Sequence, residues 1–345
     1  MIDFDEANDI DIYIFNNEYT SAVDIYHSLG KKAIVIFHGV FLSCVFSNHT
    51  EVYKIFKGLA KFDAFVHIIP DDYYFYKKFG FSNSIFIPNI YTFDYMNTPS
   101  SKLIFKNILM VGRVEDVIKG AKFGILAMAE ILKEVPDAKL TIIGSQVPEN
   151  LKNLTKELKI ENNVYWPGFS TNISEFYLNT SVLLVTSVSE SFPMVMNEGK
   201  AHGLPIVAFN IDYSPCFNSG VILVEMFDYI SMAKETIKLL QDYDYRKKKG
   251  KEAKLSLKNY INNNETIDMW DKLFNSLNNN TDFKEFQKEV EKKYYNETLA
   301  KARLEKHYHY GQQFNEYFRC HSFKNFTNFS YINQIKVCPL EIILP

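Results

Sequence analysis

Apolar residues along this chain fall into short β-branched runs separated by stretches of helical period, and the two kinds of segment alternate. Val182 to Thr186 and Ile206 to Phe209 read as strands, and between them Pro193 and Gly203 bound a short helix from both sides. Proline suits a first helical position because its missing N–H would be unbonded there, and glycine suits the left-handed residue just past a helix end. Strand, loop, helix and strand make a βαβ unit. Doubly wound sheets bind ligands beyond the carboxyl ends of such strands.

The alternation extends upstream. Asn107 to Val111, Ala138 to Ile143 (closed by Gly144) and Asn163 to Trp166 read as strands, with amphipathic helices over Lys119 to Glu134 and Glu149 to Leu158. The first hundred residues give strands over Asp9 to Phe15, Lys32 to Phe37, Asp63 to Ile69 and Ser84 to Pro88, with a helical stretch over Thr50 to Ala60. Near the carboxyl end, Phe283 to Glu305 interleaves acids and lysines as i,i+4 pairs of a charged helix.

Composition narrows the class. Hydrophobic residues make up 47% of the 345 residues, enough for sizeable cores, yet the longest apolar runs fall far short of a membrane span. The acidic start, with Asp3, Asp5, Glu6, Asp9 and Asp11, lacks the layout of a secretory signal, so a cytoplasmic protein is expected. A net charge of −3 makes no case for nucleic acid. Cys44, Cys216, Cys320 and Cys338 are scattered without a C-x-x-C pair and read as reduced thiols. His307, His309, Cys320 and His321 match no common zinc spacing, so no metal is expected. The aromatic tail beyond them, from Tyr308 to Tyr331, reads as packing surface before it reads as a carbohydrate platform or a membrane contact. Arg246 to Lys254 reads as a solvated basic helix face, with a peripheral contact to anionic lipid as the second reading.

The candidate chemistry lies at the strand ends. Free N–H groups at the start of the helix after Pro193 attract an anion, and they sit beside Glu190 before the helix and Glu198 about two turns later. A phosphate with a polyhydroxylated neighbour fits such a site. Arg113 and Lys119 follow the strand at Asn107 to Val111; an arginine fork takes two phosphate oxygens while lysine adds a compact charge. In isolation those two would read as solvated charges.

The segment Ser187 to Pro205, with seven residues between Glu190 and Glu198 and Ser191-Phe192-Pro193 after the first, resembles the signature of glycosyltransferase family 4. These are retaining nucleotide-sugar transferases of the GT-B fold, and Gly112, Arg113 and Lys119 match a second motif. The resemblance implies two doubly wound parallel-sheet, Rossmann-like domains: an acceptor-side domain over residues 1–100, a donor-binding domain over 101–277 and a helical, aromatic-rich tail over 278–345. It implies that Arg113 and Lys119 hold the donor diphosphate, Glu198 the ribose, and the backbone of Phe192, Pro193, Met194 and Val195 the phosphates and sugar. Glu190 would sit beside the donor sugar's hydroxyls, and His38 would approach the transferred sugar, though it reads equally as a histidine ending a strand. No metal or other cofactor is implied, and the carrier is expected to be UDP, with GDP next. Ser191, Gly199, Lys200 and Thr186 depart from the family's commoner residues at uncharged contacts.

The resemblance also implies an opening half of the first domain, with a glycine-rich turn, and no G-x-G occurs here. The first domain is therefore expected to be incomplete, and the chain to be a truncated product or one part of a split enzyme whose other half docks on the sheet edge at Asp9 to Phe15. Two functions follow: a retaining glycosyltransferase building a surface or capsular polysaccharide or glycoconjugate on a saccharide or lipid-linked acceptor, or a nucleotide-sugar-binding subunit without turnover of its own. A nicotinamide site fails for want of G-x-G-x-x-G after a strand.

Overall fold

The computed structural model describes residues 10–16, 23–38, 56–78, 80–91, 93–94, 97–114, 117–211, 218–259, 262–279, 283–298 and 301–302. In chain order the elements begin with β1 (Ile12–Asn16), α1 (Val23–Ser28), β2 (Lys32–Phe37), β3 (Ala64–His67), α2 (Pro70–Lys78) and β4 (Ser84–Phe86). They continue with β5 (Asn107–Val111), a 3-10 turn at Val117–Lys119, α3 (Ala121–Glu134), β6 (Lys139–Ile143), α4 (Glu149–Glu157), β7 (Val164–Gly168), α5 (Ile173–Leu178) and β8 (Val182–Val185). Last come α6 (Met194–Ala201), β9 (Ile206–Phe209), β10 (Val221–Val224), α7 (Tyr229–Gln241), α8 (Tyr243–Ser256), α9 (Asn263–Asn278) and α10 (Phe283–Tyr294).

Contacts divide the chain into two units, Met1–Ile90 with Asn263–Pro345, and Tyr91–Asn262. The expected boundaries at 100 and 277 move accordingly. The first unit is discontinuous because the chain returns to it: Gln287 of α10 donates to the carbonyls of Ser82 (2.9 Å) and Ser84 (2.5 Å) beside β4. Lys293 and Tyr294 in turn bond Glu265, which ties α9 to α10.

The first unit carries a four-stranded parallel sheet in the order β1-β2-β3-β4. All of β3 and most of β2 are buried, as expected of parallel strands covered on both faces. Their core is aromatic: Tyr76 meets Phe65 at 4.8 Å and Phe37 at 5.6 Å between ring centroids, both edge-on. By contrast β1 alternates half-buried and exposed positions, with Ile14 46% exposed, and it forms an edge of the sheet.

The second unit is a six-stranded parallel sheet, β10-β9-β8-β5-β6-β7. Strand order runs outward from β5 to β6 and β7 on one side, and from β8 to β9 and β10 on the other. The chain therefore reverses direction across the sheet between β5 and β8, the topological switch point where such folds open a crevice. The two strands pair directly, Ile108 with Val182 and Leu109 with Leu183.

Several expectations shift locally. Lys119 ends a 3-10 turn instead of opening a helix, because Gly120 intervenes in the left-handed region (φ 63°). Pro193 is the residue before α6, not its first, while Gly203 does take the left-handed conformation (φ 68°). The charged helix α10 stops at Tyr294, residues 297–298 and 301–302 are helical again, and Glu305 lies outside the described residues. The Arg246 to Lys254 run is helical but not wholly solvated. Arg246 is buried, donating to the carbonyls of Leu103 at 2.8 Å and Leu240 at 3.0 Å, and Lys254 donates to the Thr98 carbonyl at 2.6 Å. Its exposed positive charge reduces chiefly to Lys247, Lys248 and Lys251. The four cysteines, the histidine cluster near residue 307, the aromatic tail, and the Asp9 end of the first predicted strand lie outside the described residues. Among the described residues no helix is long and apolar enough to cross a membrane.

His67 marks the first unit's sensitivity to acid. It is fully buried at the end of β3, stacked at 4.8 Å on Tyr76, with Nε2 3.1 Å from the Ser84 hydroxyl. Burial depresses its pKa to about 3. Because the unfolded chain takes up this proton first, near pH 6.5, stability is full above that pH and is lost as pH falls toward 3. Chemical denaturation at pH 7 and pH 5 should show a loss of about 2 kcal/mol from this group, and His67→Phe should remove most of that difference.

Candidate functional site

At the carboxyl ends of β5 and β8 lies a cavity of about 190 Å³. β5 delivers Gly112 and Arg113 to one wall; the loop after β8 delivers Ser187 and Glu190; the start of α6 delivers Phe192, Pro193, Met194 and Val195. Lys119 enters from the 3-10 turn. Seven of the nine residues singled out from the sequence thus line one cavity at the switch point.

The loops that carry them are fastened together. Val188 N–H donates to the Ile118 carbonyl at 2.8 Å, and the Thr186 hydroxyl donates to the Lys119 carbonyl at 2.8 Å. Gly120 lies so near this junction that a Cβ there would come within 2.3 Å of the Thr186 carbonyl oxygen. Across the junction the Lys119 ammonium donates to Glu190 Oε1 at 2.5 Å, with the lysine side chain 26% and the glutamate 13% exposed. A pair so little exposed is screened weakly by solvent and holds both side chains in place. Arg113 is exposed at the rim. One carboxylate against two cations leaves these three groups net positive, beside a helix N-terminus that also favours anions.

Glu198 stands apart from this cavity. It lines a much smaller hollow of about 10 Å³ with Asn197, Tyr91 and Phe93, and Met194 borders both spaces. The Tyr177 hydroxyl donates to Glu198 Oε2 at 2.7 Å. Burial pushes the Glu198 carboxyl up from its ordinary value, and the tyrosine hydrogen bond only partly opposes this. The Tyr177 phenol is raised well above its usual range by its own burial and by the adjacent carboxylate. His202 completes the support: it stacks on Tyr177 at 4.8 Å, sits 2.9 Å from the Ser174 hydroxyl and contacts the Glu198 carbonyl at 2.8 Å.

His38 belongs to the first unit. It follows β2 directly, exposed, with Nε2 3.2 Å from the Asn16 carboxamide oxygen, and partial burial lowers its pKa. Among the described residues no group of three or more His, Cys, Asp or Glu side chains is arranged to hold a metal.

Sequence reasoning missed Tyr177, Ser174 and His202, which come from α5 and the end of α6 and carry no local pattern. It also missed Asn197, buried beside Glu198 with neither amide atom bonded to protein. A carboxamide on the inward face of a predicted helix was the available signal.

With this geometry established, residues 99–256 match the family described as Glycosyl transferases group 1. A segment of 135 residues is 38% identical to an uncharacterized glycosyltransferase of Haemophilus influenzae, covering 39% of this chain and 38% of that one. A longer segment of 226 residues is 24% identical to the poly(glycerol-phosphate) alpha-glucosyltransferase of Bacillus subtilis, covering 61% of this chain and 33% of that protein. The chain therefore spans well under half the length of these curated relatives. In fold it is similar to HepE of Anabaena in complex with UDP and glucose, with a TM-score of 0.64 and 15% identity over 78% of this chain and 79% of that one. The fold is of the GT-B glycosyltransferase type, α/β with two parallel sheets.

The junction at Gly120 is open to a direct test. Gly120→Ala forces a side chain both into the left-handed region and against the Thr186 carbonyl, and should lower the denaturation midpoint by about 2 kcal/mol or more of stability. Lys119 should lose its fixed position with it.

Proposed function

We propose that this protein is a retaining glycosyltransferase of family 4, moving a sugar from a UDP-linked donor to a saccharide acceptor in polysaccharide or glycoconjugate synthesis, without a metal. The observation that carries this reading is the convergence of Arg113, Lys119 and Glu190 with the start of α6 in one cavity at the switch point. UDP in the HepE complex and the group 1 match support it.

Breaking the bond between the anomeric carbon and the diphosphate leaves an oxocarbenium-like ring and a nucleoside diphosphate whose terminal phosphate has gained a second negative charge. Positive charge fixed in advance where that charge grows lowers the barrier without reorganisation. Lys119 meets this requirement because Glu190 already holds its ammonium, while its remaining N–H bonds can turn to the phosphate. Arg113 at the rim supplies the second cation. Glu190 then has its other oxygen for the donor sugar's hydroxyls. Glu198, held through Oε2 by Tyr177, offers Oε1 to the ribose. Since ribose hydroxyls donate to an ionised Glu198, donor binding weakens as pH falls through its raised pKa.

A second reading is a nucleotide-sugar-binding subunit that depends on a partner chain. The edge strand β1, half-exposed among the described residues, favours it, because the edge of a sheet is where a further strand can add. Turnover by the isolated chain separates the two readings.

Calorimetric titration with UDP tests the donor site. Lys119→Ala should cost ~1.5–3 kcal/mol of binding, the value of a charge-assisted hydrogen bond. Glu190→Gln has the opposite sign. It removes the carboxylate paired with Lys119 and should raise UDP affinity by about 1 kcal/mol, while turnover falls. Unchanged affinity in both variants would remove the donor-site assignment.

A further inference from the structure

Asn197 is a buried polar side chain that the proposed donor contacts leave unused. It is 4% exposed, and among the described residues neither its amide nitrogen nor its carbonyl oxygen meets a protein partner. Leaving the donors and acceptor of a carboxamide unbonded away from water is costly. Asn197 and Glu198 border the same hollow, whose volume of about 10 Å³ is close to the least that admits one water molecule. Tyr91 and Phe93, where the chain enters the second unit, and Leu257 of the turn after α8 close it. Glu198 has an oxygen to spare there: Oε2 takes the Tyr177 hydroxyl, while Oε1 is bonded to no described residue.

We infer that the hollow holds a single bound water, which accepts from the Asn197 amide and donates to Glu198, and that Asn197 acts through this water as a positioning residue for the donor ribose. A buried water needs at least two polar partners, and these two side chains supply them. The direction of the chain follows from the chemistry, because an ionised carboxylate only accepts. Each carboxylate oxygen has two lone pairs, so Oε1 can take the water on one and a ribose hydroxyl on the other. Burial works against the Glu198 charge, and the tyrosine hydrogen bond opposes burial only in part, so a second donor at the carboxylate adds support where it is short. Other titratable groups nearby are already engaged. Tyr177 of α5 donates to Oε2, His202 contacts the Glu198 carbonyl and the Ser174 hydroxyl, Lys254 of α8 acts on that histidine, and Tyr91 has a partner of its own. Asn197's role rests on the proposed ribose contact of Glu198; the water and its effect on the carboxylate do not.

The Glu198 carboxyl is titrated by carbon-13 NMR in the full-length chain, its resonance identified by its loss in Glu198→Gln. Asn197→Leu keeps the volume and removes the polar atoms, whereas Asn197→Ala removes them and opens the hollow to further water. The expected result is a Glu198 titration moved up by about one pH unit in Asn197→Leu and close to wild type in Asn197→Ala. Packing alone gives the opposite ranking, since the alanine variant leaves the larger cavity, and moves neither titration. UDP calorimetry runs beside this at pH 8 and pH 6, where Asn197→Leu should match wild type at the higher pH and bind up to about tenfold more weakly at the lower. A crystal structure of the wild-type chain, at a resolution that shows ordered water, should place one between Asn197 and Glu198; a hollow without density there overturns the inference and needs no variant to fold. A titration unmoved in Asn197→Leu overturns it as well, and a titration raised equally in both variants replaces the water with a direct effect of the carboxamide. Titrations that shift as expected in a chain that binds no UDP leave the water in place and overturn the donor reading.

Discussion

The second unit depends on one close approach, where the chain leaving β5 passes the chain leaving β8. Gly120 and Thr186 meet there with no room for a side chain between them, and two hydrogen bonds fasten the crossing. The residues joined are far apart in sequence but leave adjacent strands of the same sheet. Hydrogen bonds are worth about 1 kcal/mol each net. Their larger effect is positional: once the crossing is closed, Lys119 and Glu190 have only one way to face each other.

That fixed pair gives the two glutamates different roles. Glu190 is paired with Lys119, in the cavity at the ends of β5 and β8. Glu198 lies among buried groups, bonded to a tyrosine and facing the inward side of α6, where burial resists its charge. Two carboxylates on the same short segment are thus set apart by environment and not by chemistry, which is how one fold provides separate electrostatic functions. The spacing between them matters because it puts one ahead of the helix and the other on its inner face.

Much of this was legible in the sequence. Continuous apolar runs marked the parallel strands, and β2 and β5 came out at the expected residues, because buried strands leave a strong local pattern. Gly203 was readable as a helix stop because its backbone requirement is local. Gly120 was not recognised as a break ahead of α3, since what requires it is a carbonyl more than sixty residues away. For the same reason the roles of Arg246 and Tyr177 were hidden: a basic run looks solvated until Leu103, Leu239 and Leu240 supply the carbonyls that bury one of its members. Gln287 fastens α10 beside β4 and Glu265 ties α9 to α10, and neither polar residue gives a periodic signal.

Gly199, one of the departures from the family's commoner residues, shows how the motif helix is seated. A Cβ at that position would come within 2.4 Å of the Leu183 side chain on β8, so the glycine lets α6 lie directly on the strand that precedes it. At the far end of the helix Gly250 of α8 approaches the Gly203 carbonyl so closely that a Cβ on it would come within 2.1 Å. The helix is therefore held beneath by its own strand and at its end by α8, with backbone against backbone at the second contact. Such contacts leave little room for the helix to slide. The side chains that α6 turns inward, Asn197 among them, therefore sit on a backbone held at both contacts.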